Sequence, residues 1–251
     1  MTKKITIVLM LVFAVGSAQF LEQKKDLKTT EGFFDFHYNE KEDELYLEVD
    51  NVDQEFIYVH ALKSGLGSND IGLDRGQLGG TAIVKFIKAG NKLLLIQPNQ
   101  DYRAITDNAA EKASVEEAFA KSVLYGFEIK ETKGSAYIID LTPFLLEDAH
   151  GVARRLKTNR EGSYKVDKSR SALALTNTKS FPKNTEFEAL ITFTGTPEGR
   201  NLRSVAPDAS SVSVVQHHSF VALPEDGYQV RAFDPRSGAI HRSYMDYSAP
   251  V

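Results

Sequence analysis

Short segments with alternating apolar and polar residues dominate the chain. Residues 45–49 place Leu and Val side chains on one face, and residues 187–194 do the same with Phe, Ala and Ile. Residues 212–223 form the longest such segment. A period of two is typical of β-strands that bury one face, because successive side chains of a strand point to opposite sides. The pattern therefore predicts several half-buried strands.

Turn residues separate some of these segments closely enough to predict β-hairpins. The predicted hairpins pair residues 32–38 with 45–49 and 81–87 with 92–97. Two more predicted strands, at 125–131 and 136–141, flank a turn at 132–135. Further strands are expected at residues 56–62 and 228–233, and the Asp-Pro-Arg-Ser-Gly run at 234–238 is a strong turn signal.

Two segments have helical rather than strand character. Ser114 and Glu117 have the spacing of a capping box, and Gly126 is suited to end a helix. The apolar face of this helix would comprise Val115, Ala118, Phe119, Ser122 and Val123. Pro143 after Thr142 marks a second, shorter helix start. We therefore predict an α+β, β-rich fold with mainly antiparallel sheets, one amphipathic helix and one or two short helices.

The first eighteen residues have the layout of a secretory signal peptide. Lys3 and Lys4 precede an uncharged apolar run at 5–15, and Gly16-Ser17-Ala18 supplies small residues for cleavage. The run is too short for a membrane-spanning helix, which needs about 20 apolar residues. We expect export to the periplasm or the extracellular space, with no later membrane span. Residues 19–31 are predicted to be a polar lead-in, and residues 32–251 a single β-rich domain.

Composition removes several classes of protein. The chain has no cysteine, which excludes disulfides, thiolate zinc sites, iron–sulfur clusters and a cysteine nucleophile. The formal net charge of −4 provides no basic footprint for nucleic acid. A hydrophobic share of 42% is ordinary for a folded chain.

No recognisable catalytic motif is present, so enzymatic activity stays open. The histidines are His37, His60, His150, His217, His218 and His241. None of them forms the HExxH pattern of a zinc hydrolase helix, and no Gly-x-Ser-x-Gly elbow occurs. The neighbours His217 and His218 would point to opposite faces of a strand, one packed and one exposed. We therefore assign no catalytic residue, no metal ligand and no cofactor.

A glycine-rich segment at residues 65–80 is the main candidate for an interaction site. It contains 6 of the 17 glycines but lacks both the P-loop ending and the EF-hand spacing. The expected structure is an ordered surface loop that docks on another domain. Its polar residues, Asn69, Asp70, Asp74 and Arg75, are the candidate contacts, since charged loop residues often serve binding.

The order of three segments resembles that of a known family. The segments are the Gly-rich run GLGSNDIGLDRGQ, then DLTPFLLED, then QHHSFVALPEDGYQVRAFDPRSGAIHRSYMDYSAP. Together they are similar to the non-catalytic N-terminal region, a domain of unknown function, of large secreted bacterial zinc-dependent metallopeptidases. The likeness covers about residues 30–250, and residues 216–250 are its most specific part. No position matches the HExxH motif of the family's catalytic domain, so no zinc ligand or general base carries over.

The resemblance implies an exported accessory domain, truncated or stand-alone, that packs on or positions a peptidase catalytic domain in cis or in trans. The loop at 65–80 and the tail at 244–251 would then face that domain, with an exposed apolar patch beside the tail. The alternative is a free-standing secreted module that binds glycan or peptide, with Tyr38, Tyr46 and Tyr58 lining a concave face. A hydrolase assembled from scattered His and carboxylate residues is the third hypothesis.

Overall fold

The computed structural model describes residues 20–225, 227–229, 232–238 and 243–248. The predicted signal peptide, His241 and the last three residues of the predicted tail lie outside these residues.

The described chain consists mainly of β-strands with short helices between them. The strands are β1 (Leu27–Thr30), β2 (Asp35–Asn39), β3 (Glu44–Val49), β4 (Phe56–Leu62), β5 (Leu78–Ala89), β6 (Lys92–Gln97), β7 (Tyr102–Arg103), β8 (Ser122–Lys133), β9 (Ala136–Asp140), β10 (Gly162–Val166), β11 (Ala172–Leu173), β12 (Lys179–Phe181), β13 (Asn184–Pro197), β14 (Ser211–Ala222) and β15 (Met245–Asp246). The helices are α1 (Phe20–Gln23), α2 (Ala109–Ala118), α3 (Thr142–Leu145), α4 (Val152–Thr158) and α5 (Arg200–Val205). Single 3₁₀ turns occur at Lys168–Arg170, Leu175–Asn177 and Pro235–Ser237.

One large antiparallel sheet organises the fold. Its strand order is β1-β2-β3-β9-β8-β6-β5-β4-β14-β13-β10, with β11 and β12 also paired to β13. The sheet is curled, so that the segment before β2 near one end contacts β12 near the other. The Phe33 N–H donates to the Phe181 carbonyl of β12 at 2.7 Å. The Phe34 N–H likewise donates to Thr185 Oγ1 at 3.0 Å. A separate parallel pair joins β15 to β7.

Aromatic side chains fill the inside of the curled sheet. The ring of Phe34 lies 5.2 Å from Phe56, 5.9 Å from Phe86 and 5.8 Å from Phe220. Edge-to-face contacts at such distances are favourable beyond the apolar area that they bury. Each fully buried Phe side chain contributes about 1.5–3 kcal/mol to the free energy of folding. Residues from both halves of the chain therefore share one core.

The predicted α+β, mainly antiparallel fold is confirmed, and so are the two predicted hairpins. The strands predicted at 125–131 and 136–141 also pair with each other. The face of β13 that carries Phe187, Ala189, Ile191 and Phe193 is completely buried. A helix does start at Thr142. The longest strand is β13, and β14 is two residues shorter than it. The described residues contain more short helices than predicted.

The main helix differs from the prediction in its boundaries. Its N-cap is Asn108, whose side chain accepts the Ala110 N–H, and it ends at Ala118. Ser122 and Gly126 belong to β8, because that segment pairs with β6. None of the ten residues of α2 is fully buried. The predicted capping box at Ser114 therefore lies inside the helix.

Two further segments depart from the expectations. The predicted lead-in at 19–31 contains β1, which pairs with β2 along its whole length, so this segment belongs to the sheet rather than to solvent. A strand is predicted at residues 228–233, but residues 228–229 and 232–233 form none. Residues 230 and 231 are not among those that the structure describes. The turn predicted at 234–238 is a 3₁₀ turn capped by the Asp234 side chain.

Candidate functional site

Strand β5 changes partner half-way along its length. Its first half pairs with β4, from Leu78 to Val84. Its second half pairs with β6, in a register that joins Lys85 to Ile96 and ends at the hairpin turn. Beyond Ile96, β6 stays with β8 and leaves β5. Strands β5 and β6 therefore diverge beyond the pair Lys85–Ile96. Within the described residues, no strand pairs with Leu78–Val84 on the side away from β4. We call the opening between Leu78–Val84 of β5 and the end of β6 the fork.

The two faces of β5 in this fork are set by its register with β4. Ala82 lies opposite Tyr58, which is buried with the core, whereas Ile83 lies opposite the half-buried Ile57. Paired residues of antiparallel strands point to the same face. Ala82 therefore faces the inside of the curled sheet, and Thr81 and Ile83 face outward.

A cavity of about 370 Å³ opens on the inner face of the fork. It is lined by Tyr58, His60, Gly80, Thr81, Ala82, Gln97, Leu124, Phe144, Glu147 and Ala149. Glu147 is its one carboxylate and is exposed to solvent, so it lies at the mouth. The rings of Tyr58 and Phe144, 5.6 Å apart, form an aromatic wall.

A second cavity, of about 490 Å³, opens on the outer face and shares Thr81, Ala82 and Gln97 with the first. Its lining includes Ile57, Ile83, Pro98, Asn99, Gln100, Asp101, Arg103, Ala120, Ser122, Ser243 and Tyr244. The Arg103 guanidinium lies over the Tyr244 ring at 4.2 Å, a cation–π contact. The fork is therefore flanked by one cavity on each face of β5.

A bulge in β4 and two glycines hold His60 beside the inner cavity. The register of β4 and β5 shifts between Val59 and Ala61, so His60 faces both Gly79 and Gly80. A Cβ on Gly79 would lie 2.2 Å from the imidazole, so only glycine fits beneath this ring. The Gly80 N–H donates to His60 Nε2 at 2.9 Å. This bond places the proton of the neutral imidazole on Nδ1.

Two more imidazoles and Tyr58 complete what we call the histidine cluster, comprising Tyr58, His60, His150 and His218. The rings of His60 and His150 meet edge to face at 5.4 Å. Tyr58 Oη lies 3.0 Å from His218 Nδ1. His150 Nε2 lies 3.1 Å from Gln77 Oε1. Three elements distant in sequence thus bring these side chains together.

Burial keeps the cluster neutral. The pKa of His218 is lowered to about 3, first by burial and then by the neighbouring His60 and His217. Burial also lowers the pKa of His60 and of His150. His60 Nδ1, His150 Nδ1 and His218 Nε2 are buried without a hydrogen-bonding partner among the described protein atoms. Such groups destabilise a fold by about 1–3 kcal/mol each, which makes the cluster an unusual place in the core.

His217 points to the opposite face of β14, as its position beside His218 predicts. Its Nε2 lies 2.7 Å from Glu186 and its Nδ1 3.1 Å from Glu188. These hydrogen bonds, led by the one to Glu186, raise the pKa of His217 against the opposing effect of burial. Glu188 also accepts from Lys63 at 2.8 Å. His217 is half-buried and hydrogen-bonded to two glutamates rather than exposed.

The predicted interaction loop at 65–80 is anchored in this chain's own core. Its apolar residues Ile71 and Leu73 are fully buried, and the side chain of Asn159, the residue that follows α4, donates to the Ile71 carbonyl at 2.6 Å. The candidate contacts divide into two pairs. Asn69 and Asp70 are exposed at the tip. The half-buried Asp74 and the exposed Arg75 follow the buried stretch, and their backbone passes beside Gly65. The last residue of the loop, Gly80, lines the inner cavity.

An exposed apolar surface lies beside the described part of the tail. Tyr102 stacks on Phe119 at 3.9 Å, and Tyr247 lies 5.3 Å from Phe119. The exposed fractions of Ile105, Met245 and Tyr247 are 59%, 61% and 57%. We call these residues, Tyr102, Ile105, Phe119, Met245 and Tyr247, the aromatic surface. A third cavity, of about 350 Å³, lies between α2 and the outer cavity.

The concave face expected from Tyr38, Tyr46 and Tyr58 is not formed, because all three side chains are buried. Tyr38 donates to Asp43, Tyr46 contacts Phe20, and Tyr58 belongs to the histidine cluster. In the part of the chain that the structure describes, no group of three or more His, Cys, Asp or Glu side chains is arranged to hold a metal ion.

The residues that shape the fork, among them His60, Glu147 and Arg103, carry no motif that marks them in the sequence. The one usable signal is the pair Gly79-Gly80 at the end of the glycine-rich run, since adjacent glycines next to a strand indicate a bulge or a close approach. No helix of the described chain combines the length and the apolar character needed to cross a membrane.

Comparison with known families divides the chain into two matched segments. Residues 23–65 match the model of a domain of unknown function, DUF5118. Residues 76–251 match the model of a second domain of unknown function, DUF5117. Both segments contribute strands to the same sheet, since β4 of the first pairs with β5 and β14 of the second. No curated protein and no solved structure matches this chain. With well over half of its residues matched, the chain belongs to the family described as domain of unknown function DUF5117.

Proposed function

We propose that this chain is an exported, non-catalytic accessory domain of a zinc-dependent metallopeptidase and packs on the catalytic domain, in cis or in trans. The aromatic surface carries the proposal, because it gathers exposed apolar side chains beside the tail, where the resemblance places the partner domain. The signal-peptide layout of residues 1–18 supports export to the periplasm or the extracellular space.

The composition of the aromatic surface suits a protein interface. Tyr, Phe and Met are enriched at the centres of interfaces, where their large apolar area is buried. The pairing of β15 with β7 fixes Met245 beside Tyr102, and Asp246 accepts the Ile105 N–H at 3.1 Å. The surface is therefore held in place by backbone bonds before a partner binds.

Titration calorimetry tests this function. The purified full chain would be titrated with the HExxH catalytic domain of a metallopeptidase that naturally carries a related accessory region. We expect binding in the wild type and a loss of about tenfold or more in the double variant Met245→Ser/Tyr247→Ser, because hot-spot residues contribute 2 kcal/mol or more. Leu190→Ser, at an exposed apolar position on β13, is the matched control. Absence of binding, or equal affinity in all three proteins, would refute the proposal.

The second candidate function is a free-standing binding module for glycan or peptide. The fork favours it, because two adjoining cavities of about 370 and 490 Å³ provide an elongated site. The wild type and variants with substitutions at fork residues would be compared for retention on immobilised oligosaccharides or on peptides. This comparison separates the binding-module function from domain docking.

A further inference from the structure

We infer that the fork binds an extended peptide as an added β-strand on the free edge of β5, with a basic side chain of the peptide in the inner cavity. This inference deepens the binding-module function and does not depend on docking to a peptidase domain.

The main chain of β5 has an unpaired edge in the fork. In an antiparallel ladder, a strand directs its N–H and C=O groups alternately to its two neighbours. Within the described residues, Thr81–Val84 have β4 on one side and the open fork on the other. An edge of this kind is a template for another extended chain, and peptide recognition by strand addition uses it.

The positions of the two cavities also favour an added strand. Successive side chains of an added strand point to opposite faces of the sheet. The inner cavity lies on the face of Ala82 and Tyr58, and the outer cavity lies on the face of Ile57 and Ile83. A strand paired with β5 would therefore place alternate side chains in the two cavities. One continuous ligand accounts for both of them.

The lining of the inner cavity indicates which side chain it takes. The Tyr58 and Phe144 rings provide an apolar wall, and Glu147 places a negative charge at the mouth. The aliphatic stem of a Lys or Arg would lie against the rings, while its charge would reach the Glu147 carboxylate and solvent. His60 does not oppose this charge, because burial lowers its pKa and keeps it neutral.

A peptide fits these observations better than a glycan. A sugar chain has no regular row of amide donors and carbonyl acceptors to match a strand edge, whereas a peptide has both at the spacing of a β-ladder. The chain itself shows this mode of binding nearby, since the extended segment at Met245–Asp246 pairs with β7 beside the outer cavity.

The test begins with a library of acetylated, amidated octapeptides in which Thr alternates with randomised positions. The library is selected on the full chain, and the affinity of each recovered peptide is measured by fluorescence anisotropy. Two methylated forms of every peptide are then made, one N-methylated at odd and one at even residues. Only one of the two sets of N–H groups faces β5, so we expect one form to lose about tenfold or more in affinity and the other to change little.

Glu147→Gln tests the role of the negative charge at the mouth of the inner cavity. The matched control is Glu198→Gln, which changes an exposed carboxylate on the turn after β13. We expect recovered peptides to be enriched in Lys or Arg at one randomised position, and Glu147→Gln alone to weaken them about fivefold. The inference is overturned if no peptide is enriched, if both methylated forms bind alike, if the two Gln variants behave the same, or if a soluble chito-oligosaccharide displaces the peptide. Met245→Ser/Tyr247→Ser separates this site from domain docking, because that variant should retain peptide binding.

Discussion

Replacing His218 by Asn should change how the stability of this protein depends on pH. His218 is completely buried, and its hydrogen bond to Tyr58 uses Nδ1. The Asn amide group can occupy nearly the same place as Nδ1, so the variant keeps a partner for Tyr58 and loses the titratable ring. The substitution also removes ring contacts with Tyr58 and Phe144, and this packing loss lowers the stability by the same amount at every pH. The difference in pH dependence between the two proteins therefore isolates the protonation of His218.

The magnitude follows from the shift in pKa between the two states. The pKa of His218 is about 3 in the folded protein, against an ordinary value of 6.5 in the unfolded chain. Below pH 6.5 the unfolded state binds a proton at His218, whereas the folded state does not bind it until about pH 3. The free energy of unfolding therefore decreases as the pH falls from 6.5 to about 3. Between pH 7.5 and pH 5 the loss is about 2 kcal/mol, since each unit of pKa corresponds to about 1.4 kcal/mol.

Urea unfolding followed by far-ultraviolet circular dichroism at pH 7.5, 6 and 5 would measure the effect. We expect the wild type to lose about 2 kcal/mol more than His218→Asn over this range. His217→Asn is the control with the opposite sign. Its hydrogen bonds raise the pKa of His217, so the wild type gains stability relative to this variant as the pH falls. Parallel curves for the wild type and His218→Asn would refute the reasoning.

Three other substitutions test the packing around the site. Gly79→Ala should destabilise the fold by about 2 kcal/mol, because its Cβ would meet the His60 ring at 2.2 Å and the His60 carbonyl oxygen at 2.8 Å. A His60→Ala background removes the ring but keeps the carbonyl, so it should remove only part of this loss in chemical denaturation, and an unchanged loss would argue against the clash with the ring. Phe34→Ala should lower the free energy of unfolding by about 3–5 kcal/mol, and a loss below 1 kcal/mol would contradict the shared core. Asn159→Ala should cost about 1 kcal/mol and speed amide exchange in residues 66–76, because the bond from its side chain to the Ile71 carbonyl is lost; unchanged exchange there would contradict this anchoring.

The strands were predictable because their signal is local. The alternation of apolar and polar residues in 187–194 indicates a half-buried strand, whichever strands it pairs with. Gly90 in a tight turn specifies the hairpin of β5 and β6. The curling of the sheet was not predictable, because it depends on contacts such as that between Phe33 and Phe181, which lie far apart in the sequence.

The helix boundaries show a tertiary contact overriding a local signal. Ser114 and Glu117 have the capping-box spacing, yet Asn108 caps the start of α2, and the chain enters β8 at Ser122. Pairing with β6 stabilises Ser122–Lys133 as a strand more than a longer helix would. Gly126, expected to end the helix, instead lies close to Leu94 on the neighbouring strand.

The fork was beyond sequence reasoning for a different reason. It exists because the β4–β5 register ends where the β5–β6 register begins, and neither register can be known before the sheet is assembled. The histidine cluster likewise joins β4, β14 and the segment before α4. The predicted loop contributed through Gly79 and Gly80 rather than through its charged residues.

Amide hydrogen exchange of β5 tests the open fork most directly. In the free chain, the amides of Thr81–Val84 that face the fork should exchange much faster than those of Lys85–Ala89 that bond to β6, because an unpaired edge amide is open to solvent. A selected octapeptide should then slow the exposed amides about tenfold or more. Protection of Thr81–Val84 in the free chain equal to that of Lys85–Ala89, or no added protection with a bound peptide, would contradict the account.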